Sequence, residues 1–336
     1  MEIPYKSFTF HAVPAEPLIL PAYKGSTLRG GFGNAFKKVV CAIKSKECKN
    51  CLLSQKCIYS YVFETPLPSD TKIMRKYTSA PHPFIIEPPP EKKRGYTPKD
   101  EITFGLTLMG KALDYLPYFI YTFDELGKMG IGKGRGKYEL KAVKSLELGV
   151  MSEGKEYTNN VIPAKVGIHI YSSDTKTLKP FKSSFLPLSF DSEPVTQNSE
   201  RLTLSFLTPT RIIYDSHLTL DLEFHILIRQ LLRRLSLLSY FHCGIDTSDW
   251  DFKGIIEKAK DVKVHKQELK WHDWERYSAR QDTRMTMGGF VGKITFEGNL
   301  EPFMPLIKAG EILHVGKGTG FGLGKFKIQD STFKEE

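Results

Sequence analysis

Apolar and polar positions alternate along the chain in two passages built to the same plan. Lys6 to Val13, KSFTFHAV, has the two-residue period of a half-buried strand, and Pro14, Pro17 and Pro21 then break the pattern. From Tyr23 to Val40 the period lengthens. Leu28, Phe32, Ala35, Phe36 and Val39 recur at helical spacing, with Ser26 or Thr27 placed to cap the helix. The second passage opens on Arg201 to Phe206, RLTLSF, another alternating run ahead of Thr208-Pro209. A long amphipathic helix is predicted over 218–241. Its apolar stripe of Leu222, Ile226, Leu227, Leu231, Leu235 and Leu238 faces a core, and Arg229, Arg233 and Arg234 project elsewhere.

Both passages also end alike. Gly130 to Leu140, GIGKGRGKYEL, and His314 to Ile328, HVGKGTGFGLGKFKI, alternate glycines and leave through Gly-Lys-aromatic, Gly136-Lys137-Tyr138 in one and Gly324-Lys325-Phe326 in the other. Upstream, Ile102-Thr103-Phe104-Gly105 and Ile294-Thr295-Phe296-Glu297 each precede an apolar, helix-like run. Strand, helix, strands, helix, glycine loop, strand is the order of a βαββαβ unit. The repeat is too long for a solenoid and points to two related domains. The expected fold class is therefore α+β, with two tandem ferredoxin-like domains, 1–195 and 196–336, framing a cleft. Glu193 to Glu200, EPVTQNSE, reads as the linker, and 145–200 as strand-like pieces between polar turns. Residues 64–100, with Pro88-Pro89-Pro90, read as an extended mobile loop or hairpin.

The second glycine loop carries the most suggestive chemistry. Gly316, Gly318, Gly320, Gly322 and Gly324 let the backbone take positive φ and admit a close neighbour, while Lys317, Lys325 and Lys327 bring positive charge. Such a loop can lie along a phosphate backbone, or it can be a tight loop closing a sheet. It is not a P-loop, because Phe326 follows Lys325 where Ser or Thr is needed. No helix and no ribose-binding acid follow it, which excludes the dinucleotide fingerprint.

Charge narrows the partners. Across 336 residues, 48 Lys plus Arg against 38 Asp plus Glu leave a formal net charge of +10. That excess suits a polyanion such as nucleic acid, although Lys/Glu-rich thermostable proteins share the composition. No apolar run approaches the roughly eighteen residues of a membrane helix and no signal-peptide pattern is present. A cytoplasmic protein with no membrane partner is expected.

Cys41, Cys48, Cys51 and Cys57 form C-x6-C-x2-C-x5-C among Lys44, Lys46, Lys49 and Lys56. Four close thiolates suit a closed tetrahedral structural zinc site; disulfides, an iron-sulfur cluster and free thiols remain open readings. A closed site would staple the loop and leave no position for substrate, so no cofactor is expected for catalysis. Cys243 stands alone. None of the nine histidines forms HExxH or a close pair. His11, His225 and His242 read as structural. His314 directly precedes the glycine loop, where it can act on a held phosphate or sit satisfied in a hydrogen bond. Finally, in WERYSARQ (274–281) and the residues after it, Tyr277, Arg280, Gln281 and Arg284 set a stacking ring beside guanidinium and amide donors. This combination serves single-stranded RNA, and a plain basic hairpin would look the same.

Taken in order, LRGGFGNAF (28–36), CIYSYVFE (57–64), RRLSLLSYFHCG (233–244), RYSARQ (276–281) and HVGKGTGFGLG (314–324) span nearly the whole chain. That series resembles the CRISPR-associated endoribonucleases that process precursor guide RNA, the sixth Cas family of the RAMP superfamily. The resemblance implies metal-independent cleavage within each repeat by attack of a ribose 2'-hydroxyl, giving a 2',3'-cyclic phosphate and a 5'-hydroxyl. It also implies CRISPR repeat RNA as partner; other Cas proteins of an effector complex go with the binding-only alternative, and a homodimer is an open reading. Members often carry a catalytic histidine around the first helix, and Pro21 to Val40 contains none. Tyr23, Lys24, Arg29 and Lys37 are the available substitutes, with His314 completing the site from the other domain. Lys24 would stabilise the phosphorane and Tyr23 would hold or protonate an oxygen. Expected RNA contacts are Arg229, Arg233, Tyr277, Arg280, Gln281, Arg284, the loop glycines Gly316 to Gly324, Lys317 and Lys325. A non-catalytic RAMP protein that only binds RNA is the alternative. A zinc-stapled basic protein without an RNA role is the third reading.

Overall fold

A computed structural model describes residues 2–44, 48, 50–74, 77–148, 165–187, 200–278 and 283–329. The first half runs β1 (Glu2–Pro14), β2 (Leu18–Ile19), α1 (Gly25–Val40), β3 (Phe84–Glu87), β4 (Gly95–Tyr96), β5 (Ile102–Met109), α2 (Leu116–Met129), β6 (Tyr138–Leu148), β7 (Lys165–Ser172) and β8 (Ser184–Pro187). Its main sheet is antiparallel in the order β3-β5-β1-β6-β7, and β8 pairs with the start of β1. Phe8 and Phe10 of β1 and Phe104 of β5 meet Phe32 and Phe36 of α1 and Phe119 and Phe123 of α2 in one aromatic core. The intervening positions of β1, such as Ser7, Thr9 and His11, are only partly buried.

The second half follows the same plan with β9 (Glu200–Thr210), β10 (Ile213–Tyr214), β11 (His217–Leu218), α3 (Phe224–Cys243), α4 (Phe252–Ala259), β12 (Lys263–Ser278), β13 (Thr283–Gly298), α5 (Met304–Leu313) and β14 (Phe326–Gln329). Its sheet order is β12-β13-β9-β14. Strand four beside one, then three, then two is the ferredoxin-like order. It appears as β6-β1-β5-β3 in the first half and as β14-β9-β13-β12 in the second. The tandem ferredoxin-like fold is therefore present. The expected boundary at 195/196 lies outside the described residues.

Apolar packing joins the halves. Ile3, Ile85, Met109 and Leu186 belong by sequence to the first half, yet they pack in the core of the second with the leucines of α3. Strand β3 is the pivot. Phe84 and Ile86 enter the first core and Ile85 enters the other.

Several local expectations change. The proline-rich passage 64–100 contains β3, paired with β5, because its apolar triplet is buried on both faces and shows no alternation. Helix α1 starts at Gly25 with Lys24 as N-cap and no side-chain cap, so Ser26 and Thr27 lie inside the first turn. Helix α3 starts at Phe224, since residues 217–218 are taken by the small β10-β11 hairpin. Arg234 does not project to solvent. It is 9% exposed, because leucines line α3 on nearly every side and both halves cover it. Among the described residues no helix is long and apolar enough to cross a membrane.

Candidate nucleic-acid interface where the halves meet

Helix α1 brings its first turn to the junction. Lys24 is fully buried, and its Nζ donates to Glu91 O at 2.7 Å and to Ala22 O at 3.3 Å, 5.7 Å from the Tyr96 ring centre. Burial lowers its pKa, opposed by Glu91. Tyr23 points across the junction. Its hydroxyl donates to Phe321 O at 2.8 Å and its ring lies 4.6 Å from that of Trp274. Burial, with Glu87 in support, pushes the phenol well above its ordinary range, so it stays protonated.

Arg29 sits one turn further on, between two rings. Its guanidinium carbon lies 4.6 Å from the Phe63 centre and 4.4 Å from that of Phe321. Arg29 Nη2 donates to His82 Nε2 at 2.6 Å. A guanidinium only donates, so His82 Nε2 accepts and Nδ1 carries the proton, which it gives to Thr65 Oγ1 at 3.2 Å. Thr65 in turn donates to Ala80 O at 2.9 Å. Burial first, and Arg29 second, hold the pKa of His82 down to about 3.

The glycine loop arrives from the other half, where α5 ends at Leu313. Val315 N donates to Gly324 O at 3.0 Å, Gly324 N to Pro209 O at 3.2 Å, Thr208 Oγ1 to Gly322 O at 2.8 Å, and Lys317 N to Arg211 O at 2.9 Å. These bonds tie the loop to the end of β9. Two glycines let it cross to the first half. A Cβ on Gly25 would stand 2.1 Å from Phe321 O. Gly322, at φ 81°, would place one 2.4 Å from Pro88 Cδ. His314 is fully buried. Its Nδ1 faces Leu323 O at 3.0 Å and its Nε2 faces Glu87 Oε1 at 3.2 Å. Both ring nitrogens are thus engaged by protein oxygens, and neither is open to a substrate. The Lys325 ammonium holds the other Glu87 oxygen. Burial alone would raise the Glu87 pKa, but His314 and Lys325 outweigh it and bring the carboxyl well below the usual range.

Tyr23, Lys24, Arg29 and His314 are thus drawn into one region. Lys37 is not. It lies thirteen positions beyond Lys24, about 20 Å along the helix at 1.5 Å per residue, with its ammonium 5.6 Å from the Tyr59 ring and bonded to the Cys48 thiol. Gly316, Gly318, Gly322 and Gly324 have positive φ, while Gly320 packs by Arg29 and His82. Most of the loop is buried, so the glycines serve close backbone packing, and Lys317 and Lys327 are its exposed cations. Lys92 and Arg94 are exposed beside Glu91, next to the start of α1. Arg229 and Arg233 are exposed on α3, Arg233 lying 5.1 Å from the Tyr77 ring. Tyr277 pairs with Arg284 near the tip of the β12-β13 hairpin; Arg280 and Gln281 lie outside the described residues.

Cys41, Cys48, Cys51 and Cys57 are partly buried free thiols. Among the described residues no group of three or more His, Cys, Asp or Glu side chains is disposed to hold a metal ion. Lys37 is bonded to Cys48, whose thiol is pushed up mainly by burial, and the expected structural zinc site has no support in this arrangement. Sequence reasoning also missed His82, Glu87, Phe63, Thr65, Thr208, Trp274 and Phe321. The one local signal was a carboxylate closing the apolar triplet Phe84-Ile85-Ile86.

Two ferredoxin-like units joined through a glycine-rich loop make up the fold, and the comparisons with known proteins agree with it. Residues 204–326 match the family model for CRISPR-associated endoribonuclease Cas6, and residues 3–163 match AF_1859_N, an N-terminal domain. The second half of the chain is thus similar to the CRISPR-associated endoribonuclease Cas6 family. An uncharacterized protein of Archaeoglobus fulgidus is 23% identical over 312 residues, covering 92% of this chain and 93% of its own. A solved Cas6 product complex superposes with a TM-score of 0.54 at 15% identity, over 97% of this chain and 100% of that one. A partial Cas6-RT-Cas1–Cas2 complex gives a TM-score of 0.58 at 12% identity, over 99% of this chain and 47% of the other. At these identities the superpositions speak for the fold.

Proposed function

We propose that the chain binds CRISPR repeat RNA where α1 meets the C-terminal glycine loop, and cleaves it there by attack of a 2'-hydroxyl on the adjacent phosphate. The observation that carries this reading is the approach of the α1 first turn to the loop across the junction, rimmed by the exposed Lys92, Arg94 and Lys317. RNA phosphates would follow this rim, with affinity falling as salt rises. Tyr23 is the proton donor for an RNA oxygen, and Lys24 and Arg29 are the cations for the phosphorane once their protein contacts yield. Other Cas proteins are partners on the strength of the likeness to the Cas6-RT-Cas1–Cas2 assembly.

One observation favours the non-catalytic alternative. Lys24, Arg29 and His314 are all engaged by protein groups in this structure. A single assay decides. Labelled repeat RNA is incubated with the protein in EDTA, alongside the same RNA carrying 2'-deoxyribose at the cut site. Cleavage abolished only by the deoxy sugar establishes the enzyme, and retention of uncut RNA on the protein establishes the binding protein. Single alanine substitutions at Lys24, Arg29, Lys37 and His314 then separate losses in rate from losses in affinity.

A further inference from the structure

Arg234 lies on a helix otherwise lined with leucine, in the middle of the packing between the halves. More than nine-tenths of it is buried. Its Nε donates to Leu313 O at 2.6 Å, while its Nη2 is buried without any acceptor. No ion pair to Arg234 occurs among the described residues. Burial depresses its pKa to about 9, with no carboxylate working against it. A guanidinium at neutral pH keeps its proton, and an uncompensated charge in a protein interior is strongly unfavourable.

The surroundings are also basic. His82 and His242 both lie near enough for the Arg234 charge to help keep them neutral, after burial. The bonding of His242 agrees. Its Nε2 donates to Pro81 O at 2.7 Å, which leaves Nδ1 to accept from Tyr61 Oη at 3.2 Å. His242 also forms the inner wall of a cavity of about 440 Å³, lined with Pro4, Tyr61, Gly110, Lys111 and Tyr240. The exposed Lys111 stands at this opening, its ammonium 5.8 Å from the Tyr61 ring. An anion therefore has a cationic approach at Lys111 and His242, and beyond the cavity an unsatisfied guanidinium close enough for its charge to act on the His242 ring.

We propose that the junction holds a small oxyanion of the phosphate class against Arg234, entering past His242 from this cavity. The planar N–H fork of arginine matches the oxygens of phosphate or sulfate better than a spherical halide. This site is separate from the α1 and glycine-loop rim and does not depend on RNA cleavage.

The test is thermal unfolding of the full chain in sodium phosphate, titrated at constant ionic strength against sodium chloride. The wild-type protein gains a saturable few degrees in phosphate. R234M shows no gain, whereas K258M, at an exposed position on α4, keeps it. Should R234M fail to fold, ³¹P line broadening of inorganic phosphate by the wild-type protein, reversed by sulfate and not by chloride, supports the site. A parallel titration with a 2'-O-methyl repeat oligonucleotide distinguishes the sources. A shift given only by the oligonucleotide, and lost in R234M, overturns the small-anion site and assigns Arg234 to an RNA backbone instead. No phosphate-specific gain, a gain that R234M retains, or no reversible ³¹P broadening overturns the proposal.

Discussion

The two glycine loops occupy the same place in the duplicated fold and do different work. Both leave the second helix of their unit and lead into its last strand, and both are clasped by the end of the first strand. Ala15 N donates to Lys137 O at 2.9 Å and Leu207 N to Lys325 O at 2.8 Å. Lys137 N is accepted by Glu16 Oε1 at 3.0 Å and Lys325 N by Thr208 Oγ1 at 2.9 Å. The first loop then stays at home, with Lys133 N on Ile19 O and Gly132 against the same carbonyl. The second crosses to the opposite half, where Phe321 receives Tyr23 and Arg29, and His314 and Lys325 grip Glu87. Duplication supplied a turn that brings two chain segments together closely. Only the later copy uses it to fasten one unit to the other.

The sharpest way to break this contrast is to add one methyl group to each place. In Gly25→Ala the new Cβ meets Phe321 O at 2.1 Å and the Tyr23 ring at 2.7 Å. Neither neighbour is the free end of a flexible chain, and a cost of about 3 kcal/mol or more is expected. Gly132→Ala, at φ +73° and 2.2 Å from Ile19 O, should cost about as much within the first half alone. The three tryptophans, Trp250, Trp271 and Trp274, all lie in the second half. Urea unfolding followed by tryptophan fluorescence should therefore move more for Gly25→Ala, while circular dichroism moves for both. Equal fluorescence shifts would show that the two loops are equivalent and that the halves melt as one.

A smaller effect separates the two carboxylates. Glu87→Gln leaves His314 and Lys325 without their counter-charge at a site that is mostly buried. We expect a loss of about 2–3 kcal/mol, below the full range for a buried pair because a quarter of the side chain is exposed. Glu16→Gln keeps an oxygen acceptor for Lys137 N, removes only an exposed charge at the other loop and should cost about 0.5 kcal/mol or less. Denaturation midpoints of the two variants check the order. Comparable losses would mean that the crossing loop is no better anchored than its twin.

Acid should weaken the joined region before it touches the first loop. His82 and His242 have folded pKa values lowered to about 3 and about 4, against an ordinary value near 6.5. Between those limits the unfolded chain binds protons that the folded chain refuses. Their stabilising effect is thus complete above about pH 6.5 and declines as pH falls toward the folded values. From pH 6.5 to pH 5 this amounts to about 2 kcal/mol for His242, the more deeply buried ring. Glu87, also depressed, stabilises at neutral pH and adds to the decline only at lower pH, where its stabilisation is lost below the ordinary carboxylate range. Unfolding free energies at pH 7, 6 and 5 should show the decline, and His242→Gln should reduce it by about half, His82 supplying the rest. A wild-type stability independent of pH over this span would remove the argument.

These contrasts also explain what could be read from the chain beforehand. Both glycine loops and their Gly-Lys-aromatic exits were legible, because a turn that needs positive φ writes itself into local composition. The ferredoxin order followed from the periods on either side. Strand β3 was hidden by being apolar toward both cores at once, with Ile85 serving one and Phe84 and Ile86 the other. Glu87 and His82 were missed for a different reason. Glu87 finds its partners 227 and 238 positions away, and no local pattern records a pairing across the duplication. Arg234 illustrates the same limit. The solvent face of α3 takes Arg229 and Arg233, whereas Arg234 turns into the packing between the halves, and helical periodicity alone cannot announce that.

One mild substitution is the most informative about the candidate site. Tyr23→Phe keeps the ring against Trp274 and removes only the hydrogen bond to Phe321 O, so stability should fall by about 1 kcal/mol. If Tyr23 is only a fastener for the crossing loop, RNA cleavage by the variant at a temperature well below its transition should match wild type. If its proton goes to an RNA oxygen, the single-turnover rate should fall about 100-fold or more with affinity unchanged. Burial and Glu87 keep this phenol protonated far above neutrality, which suits a donor and rules it out as a base. The variant therefore tests the acid role alone, and a rate loss that vanishes when stability is restored by lower temperature would assign Tyr23 to the fastening and leave the acid to be found elsewhere on the rim.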